Sequence, residues 1–369
     1  MTILTFVALG IGLVCLVAGA ELLVRGAASI ATRFGIAPVI IGLTVVAFGT
    51  SAPELAVSVS AGFAGDGEVA FGNVAGSNIA NILLILGASA IVGGLVVSQR
   101  IIRLDIPILI VASVVTLLLS LDNEIGRIDG AILFAGVVAY TVWLIRAARN
   151  ERADVLEEYD EAVVELEVDV VDKPLPIQVA LLLVGLGVLV VGSQLLVGSA
   201  TDIAEHLGVS DLVIGLTVVA IGTSLPELAT SLLAALRGQR DIAVGNVVGS
   251  NLFNLLSVLG LTSIVSPDPI PVADSSLQVD FPVVLAATIV LVPIVWKGFR
   301  IERWEGFVLV AFYALYVAFL ILDANDSGAV NVLGPAALVV APLVFLGFSV
   351  AGVQGWRQHQ RQRDHQPTG

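Results

Sequence analysis

Two carboxylates sit where a carboxylate is hard to keep. Glu54 and Glu227 each lie near the middle of a long apolar run. An ionised acid at the centre of a membrane helix costs about 3 kcal/mol on insertion scales, so such residues turn inward and take a counter-charge. No Lys or Arg lies at comparable depth in these runs or in the two that follow them. A bound cation is the natural partner.

The surroundings of the two acids are the same. The first reads Gly49-Thr50-Ser51-Ala52-Pro53-Glu54, the second Gly222-Thr223-Ser224-Leu225-Pro226-Glu227. Each is followed by a polar stripe with a four-residue spacing: Asn73, Ser77 and Asn81, then Asn246, Ser250 and Asn254. The whole stretch Gly42 to Gly87 repeats as Gly215 to Gly260 at an offset of 173, with 27 of 46 positions identical and no gap. The chain is a duplication, and the repeat sets its architecture.

Pro53 and Pro226 each lack an N–H and displace the carbonyl four residues back, at Gly49 and Gly222. A broken helix is expected there, with the carbonyls of Gly49, Thr50, Gly222 and Thr223 turned into a cavity. Irregular backbone at membrane depth is tolerated only where it is buried in protein or lines a water-filled site. Thr50 and Glu54 are four residues apart and share a face. The glycines of the stripes, Gly72, Gly76, Gly245 and Gly249, allow close backbone approach. Taken singly, a Gly/Ser/Asn stripe is packing glue and a proline is a kink. Duplicated together around a buried acid, they read as a site. The donors are carboxylate, hydroxyl, amide and carbonyl oxygens, a hard set that suits Ca²⁺ and Na⁺ and disfavours zinc or copper.

Composition agrees with a membrane setting. The mean hydropathy is +1.01, and 13% of the 369 residues are charged. The single cysteine, Cys15, lies in an apolar segment and excludes a disulfide framework. Three histidines, two of them in the tail, leave little for imidazole chemistry. The net charge of −14 is concentrated between Glu151 and Asp172, which holds ten acids against one Arg. That segment reads as a solvated linker. The N-terminal apolar run has no basic region before it and reads as the first spanning helix rather than a signal peptide.

Eleven spanning helices are expected, near 2–30, 39–63, 69–97, 101–121, 127–148, 175–203, 211–236, 241–266, 277–296, 303–323 and 328–353. If the chain alternates, every Arg and Lys but Arg127 falls on one face. The positive-inside rule then puts the N-terminus outside and the C-terminus in the cytoplasm. Residues 1–148 form a first five-helix repeat, 149–174 an acidic cytoplasmic linker, and 175–323 a second repeat. Residues 328–353 add one further spanning helix outside this symmetry, and 354–369 form a cytoplasmic tail. Five is odd, so the second repeat enters the membrane from the other side. The fold class is therefore all-α and polytopic, with two inverted-topology repeats as in secondary transporters.

Smaller features take plainer readings. Glu21 and Arg25 are an i, i+4 pair on the first helix, a neutralised structural pair that could restrain its movement. Asp105 and Asp280 stand just before Ile106-Pro107 and Phe281-Pro282 and read as helix caps. An intramembrane enzyme using the two acids lacks a nucleophile with a base, a His-Glu-x-x-His motif and a cofactor loop. A passive channel has no need of the inverted repeat.

Gly-Thr-Ser-x-Pro-Glu with Gly-Ser-Asn-x-x-Asn, twice, resembles the two α-repeats of the sodium/calcium exchanger family. The resemblance covers the first ten helices. It implies that spans 2, 3, 7 and 8 surround the ions, and that spans 1 and 6 slide across that core. It implies a Ca²⁺ site of Glu54 and Glu227 with backbone oxygens of Thr50 and Thr223. It assigns flanking Na⁺ sites to Ser51, Ser77, Ser224 and Ser250, with Asn81 and Asn254 completing the central position. Many members carry Asp at the position of Asn254, and in the potassium-dependent branch that acid accompanies K⁺ transport. The implied function is K⁺-independent, electrogenic exchange of Na⁺ for Ca²⁺ at the plasma membrane, with no cofactor. The alternative in the same superfamily is a Ca²⁺/H⁺ antiporter, in which the two acids carry protons.

Overall fold

The computed structural model describes residues 3–150, 174–207, 220–296, 298–325, 329 and 346–348. Nearly all of the expected linker, the first part of the seventh span (211–219), most of the eleventh helix and the tail lie outside the described residues.

The sequence is helical because a helix lets each apolar run, about 20 residues or more, satisfy its backbone in hydrocarbon within itself. Helix α1 spans Ile3–Phe34. The next span is broken into α2, Pro38–Thr50, and α3, Ala52–Ala64, which meet at 42°. Helices α4 (Gly67–Gly93), α5 (Ile101–Leu119) and α6 (Arg127–Asn150) complete the first half. The second half runs α7 (Leu175–His206), α8 (Ala220–Thr223), α9 (Leu225–Leu236), α10 (Arg240–Val265), α11 (Ser276–Trp296) and α12 (Arg303–Ala324). Among the described residues eight helices are long and apolar enough to cross a membrane, and the bent α2–α3 pair makes a ninth. Helix α9 is a shorter apolar helix, and the first part of its expected span falls on the undescribed positions.

Two short strand pairs display the inverted arrangement. Leu95–Val96 (β1), after α4, pairs antiparallel with Arg300–Ile301 (β4), before α12. Glu124–Ile125 (β2), before α6, pairs with Ile270–Pro271 (β3), after α10. Each half thus contributes one strand to each end of the bundle, and the strand following α4 lies at the opposite end from its repeat counterpart following α10. This is what an odd number of spans per repeat requires. Arg127, the basic residue expected alone on its face, donates to the carbonyls of Ser266 and Pro267 just past α10. Its place follows from capping that helix.

Burial sorts the helices into a core and a wall. Helix α10 is buried along its length and α4 largely so, whereas α1, α7 and α12 expose most of their surface. The two outer helices α1 and α7 lie antiparallel along a ladder of glycines spaced by seven. Gly12 meets Gly192 and Leu196, Gly19 meets Gly185 and Leu189, and Gly26 meets Gln178 and Leu182. A Cβ on Gly19 would stand 2.6 Å from the Leu189 backbone nitrogen. These glycines therefore set the helix separation, as small residues do in membranes. Cys15 belongs to the same seam, where it faces Gly192. Phe348, within the expected eleventh helix, is buried and stacks on Trp304 at the start of α12.

Candidate functional site

The break between α2 and α3 falls at Ser51, with φ −81° and ψ 6°. Its counterpart is Ser224, between α8 and α9, with φ −87° and ψ 8°. Pro53 and Pro226 then sit in the first turn of α3 and α9, where a missing N–H does no harm. Glu54 and Glu227 follow in the same first turn, where the helix dipole favours negative charge.

A serine at the start of a helix ordinarily caps it with its own hydroxyl. Neither serine does so here. Ser51 Oγ donates to Glu227 Oε1 at 3.1 Å, and Ser224 Oγ donates to Glu54 Oε1 at 3.1 Å. Each carboxylate is therefore bonded by the serine of the opposite half. Ser224 also lies 3.2 Å from Ser77 Oγ, and Ser250 lies 3.5 Å from Glu227 Oε1. Thr50 Oγ1 reaches Asn246 Oδ1 at 3.2 Å and Ser250 Oγ at 3.5 Å, while Thr223 Oγ1 reaches Asn73 Oδ1 at 3.4 Å.

Glu54, Glu227, Asn81 and Asn254 are fully buried. The second oxygen of each carboxylate, and both polar atoms of Asn81 and of Asn254, have no hydrogen-bond partner among the described residues. Buried polar groups are nearly always satisfied, and an exception calls for a bound ion or a functional role. A hard cation fits these atoms, because all but the two amide nitrogens are oxygens with free lone pairs. The serines fit as well, since a hydroxyl that donates to a carboxylate keeps lone pairs for a metal. Among the described residues no group of three or more His, Cys, Asp or Glu side chains clusters, so the negative charge of this site resides on two acids.

Asn81 lies in a π-helical stretch, Ala80–Leu86, and Asn254 opens another, Asn254–Val258. The wider turn changes which way a side chain faces, and such turns recur at functional sites. Nothing in the residue spacing announced them.

Gly245 and Gly249 allow the expected close approach. Added Cβ atoms would stand 2.8 Å from the Val39 carbonyl oxygen and 2.7 Å from Ala47 Cβ. The corresponding partners of Gly72 and Gly76 fall at 212–220, largely outside the described residues.

Two expectations are corrected. The carbonyl of Gly222 does not turn into the cavity: it accepts a 2.7 Å bond from Ser193 Oγ of α7. Asp105 and Asp280 do not cap helices. Asp105 makes no side-chain cap bond, because the chain is already helical through the π turn Ile101–Asp105. It accepts instead from Tyr140 of α6 at 3.0 Å, with Arg100 Nε 3.9 Å away. Asp280 likewise ends the π turn Ser276–Asp280 and accepts from Tyr316 of α12 at 2.7 Å. These acids tie neighbouring helices together in each half.

Three contacts lay beyond the sequence reading. Ser58 and Ser231 receive the amides of Asn73 and Asn246. Both serines stand four residues after a site acid at the repeat offset, a signal that was available. Arg237 pairs with Glu21 at 2.8 Å, and no spacing in the chain could have shown that.

Comparison with known proteins places these features. The family model described as "Sodium/calcium exchanger protein" matches residues 4–146 and 177–322. The chain is 41% identical to CaxA of Alkalimonas amylolytica over 311 residues, which cover 83% of this chain and 95% of that protein. It is 32% identical to the sodium/calcium exchanger MaX1 of Methanosarcina acetivorans over 351 residues, 87% of this chain and 99% of that one. The solved structure of the sodium-calcium exchanger NCX_Mj soaked with Na⁺ and Ca²⁺ superposes with a TM-score of 0.74 at 31% identity, covering 86% of this chain and 99% of that chain.

Proposed function

The chain belongs to the sodium/calcium exchanger family, a family of transporters, and on that premise we propose that it is a secondary active antiporter in which Na⁺ flow drives Ca²⁺ across the plasma membrane by alternating access. The observation that carries this reading is the pair of buried acids, one from each half, each held by the opposite half's serine and each with an unpartnered oxygen.

The donors divide by chemistry. Glu54 and Glu227 balance one Ca²⁺, with the main-chain oxygens of Thr50 and Thr223 completing its shell. Ser51, Ser77, Ser224 and Ser250 add neutral oxygens for Na⁺ on either side, and Asn81 and Asn254 fill the centre. Ca²⁺ and Na⁺ compete for shared oxygens, so one cargo rides at a time. With neither bound, two like charges face a low-dielectric interior, which penalises switching while empty. That penalty is the source of coupling. Two carboxylates match two Na⁺. A third Na⁺ rests on neutral dipoles and makes the cycle electrogenic. Asn254, in place of an acid, supports K⁺ independence. The glycine ladder packs α1 tightly against α7, so the two outer helices would move across the core as one unit. The placement of Arg and Lys supports an external N-terminus and a cytoplasmic C-terminus.

One observation favours a second reading. All the charge of the cage lies on two carboxylates, and these can carry H⁺ as well as Na⁺. Proteoliposomes separate the two. A Na⁺ gradient is expected to drive ⁴⁵Ca²⁺ uptake in the wild type, and Glu54→Gln or Glu227→Gln to lower it by at least about a hundredfold, the scale of losing a buried charge–metal interaction. Uptake driven by a pH gradient with no Na⁺ present would select the Ca²⁺/H⁺ antiporter instead.

A further inference from the structure

The first and last asparagines of each polar stripe do different work. Asn81 and Asn254 leave their amides unpartnered. Asn73 and Asn246, two turns earlier, are engaged on both sides. Asn73 Nδ2 donates to the main-chain oxygen of Glu54 at 3.1 Å and to Ser58 Oγ at 2.9 Å. Its Oδ1 accepts from Thr223 of the other half. Asn246 Nδ2 donates to the Glu227 main-chain oxygen at 3.5 Å and to Ser231 Oγ at 2.9 Å. Its Oδ1 accepts from Thr50. The amide orientation follows from the chemistry: only the NH₂ can face a carbonyl oxygen, so the carbonyl end must face the threonine.

We infer that Asn73 and Asn246 are positioning residues that brace the two halves of the cage against each other. Each holds the acid-bearing turn of its own half and the threonine turn of the opposite half. The firm end of each brace is the 2.9 Å bond to the serine. The threonine bonds, at 3.2 and 3.4 Å, are long for a hydroxyl donor, so this is the end that can be made and released. The inference rests on the exchanger reading. Under it, the Thr50 and Thr223 carbonyls are ligands, and Asn246 and Asn73 set their direction without touching the ion. The brace runs crosswise: Asn73 governs Thr223, and Asn246 governs Thr50.

A double-mutant cycle in proteoliposomes tests the crossing. Thr→Val removes the hydroxyl and keeps the main-chain oxygen. Asn73→Ala is expected to raise the Ca²⁺ concentration for half-maximal Na⁺-driven exchange about tenfold at a maximal rate within about twofold of wild type, and Thr223→Val to raise that concentration about threefold. Asn73→Ala with Thr223→Val is expected to be no worse than Asn73→Ala alone, because the shared bond is already gone. Asn73→Ala with Thr50→Val is expected to multiply, because those residues belong to different braces. The reverse pattern, or multiplication in both pairs, overturns the inference. If the alanine variants do not fold, Thr223→Val decides singly, because among the described residues its hydroxyl bonds Asn73 alone: half-saturation unchanged from wild type overturns the inference, and a rise upholds it. Failure of the exchanger reading looks different, since wild type itself would then show no Na⁺-driven Ca²⁺ flux.

Discussion

The two halves of this molecule agree at the cage and disagree around it. At the cage the match is close. The breaks at Ser51 and Ser224 share a conformation, the crossed serine–carboxylate bonds are both 3.1 Å, and the asparagine–serine bonds are both 2.9 Å. Away from it the repeat decays. Ser193 of α7 binds the Gly222 carbonyl, whereas the equivalent position in α1 is Ala20. Glu21 holds Arg25 and Arg237, whereas the equivalents are Gln194, Gly198 and Ala64. Both hinge glycines pack on the same outer helix, Gly49 on Leu186 and Gly222 on Val197 of α7. The lesson is about constraint. The cage is one object approached from two sides, so a change in either half is felt by the same cargo. The outer helices α1 and α7 lie outside the cage, and their contacts are free to diverge.

If the cage is symmetric in function as well as in geometry, the two serines should be interchangeable. Ser51→Ala and Ser224→Ala each remove one hydrogen bond to a charged acceptor, worth about 1.5–3 kcal/mol. Each is expected to raise the half-saturating Na⁺ concentration by at least about tenfold, and the two values should agree within about threefold. Na⁺-activation curves of ⁴⁵Ca²⁺ efflux measure both. A large effect from one serine and none from the other would break the comparison at its strongest point.

The next test sharpens the disagreement. Ser193→Ala leaves the Gly222 carbonyl without its donor in the middle of the bundle, a loss of about 1–3 kcal/mol for a buried acceptor. The apparent melting temperature in detergent is expected to fall by a few degrees. Ala20→Ser offers the same hydroxyl to the other half, where a Cβ on Gly49 would meet Leu186 of α7 rather than α1, and is expected to gain nothing. If Ala20→Ser stabilised the protein as much as Ser193→Ala weakened it, the asymmetry would be an accident of drift.

The cage could be read from the chain because its signals are local and doubled. Thr-Ser-x-Pro-Glu carries its own break, and the stripe Asn73, Ser77, Asn81 carries its own face. Duplication then removed coincidence. Helix ends followed from hydropathy to within a few residues, as with Arg240–Val265 against an expected 241–266. What could not be read was anything set by a neighbour distant in sequence. Asp105 resembles a cap beside a proline until Tyr140, 35 residues away, is seen to claim it. The Gly222 carbonyl looks free until α7 is laid beside it. The division of labour within one stripe, with Asn73 bracing and Asn81 left open, depends on Thr223 of the other repeat. The strand pairs joining the loops at each end depend on two residues apiece and leave no periodicity to find.

The smallest effect belongs to a second contact with no mirror image. Arg237, at the end of α9, reaches Glu21 in α1 with two nitrogens, at 2.8 and 3.1 Å, and Arg25 meets the same carboxylate at 2.6 Å. An outer helix is thereby fastened to a core helix at this end of the bundle. The Arg237 side chain is 54% exposed, so its pair with Glu21 contributes about 1 kcal/mol at most and weakens with salt. If α1 slides against α9 when the site changes sides, Arg237→Gln and Glu21→Gln should each alter the exchange rate by up to about fivefold, with Glu54 and Glu227 untouched and half-saturating Ca²⁺ unchanged. The double variant should go no further than either single one, because both remove the same contact. Raising choline chloride should draw the wild type toward the variants. Rates that stay equal to wild type at low ionic strength would show that α1 and α9 do not part during the cycle, and would return Glu21 and Arg25 to a plain intrahelical pair.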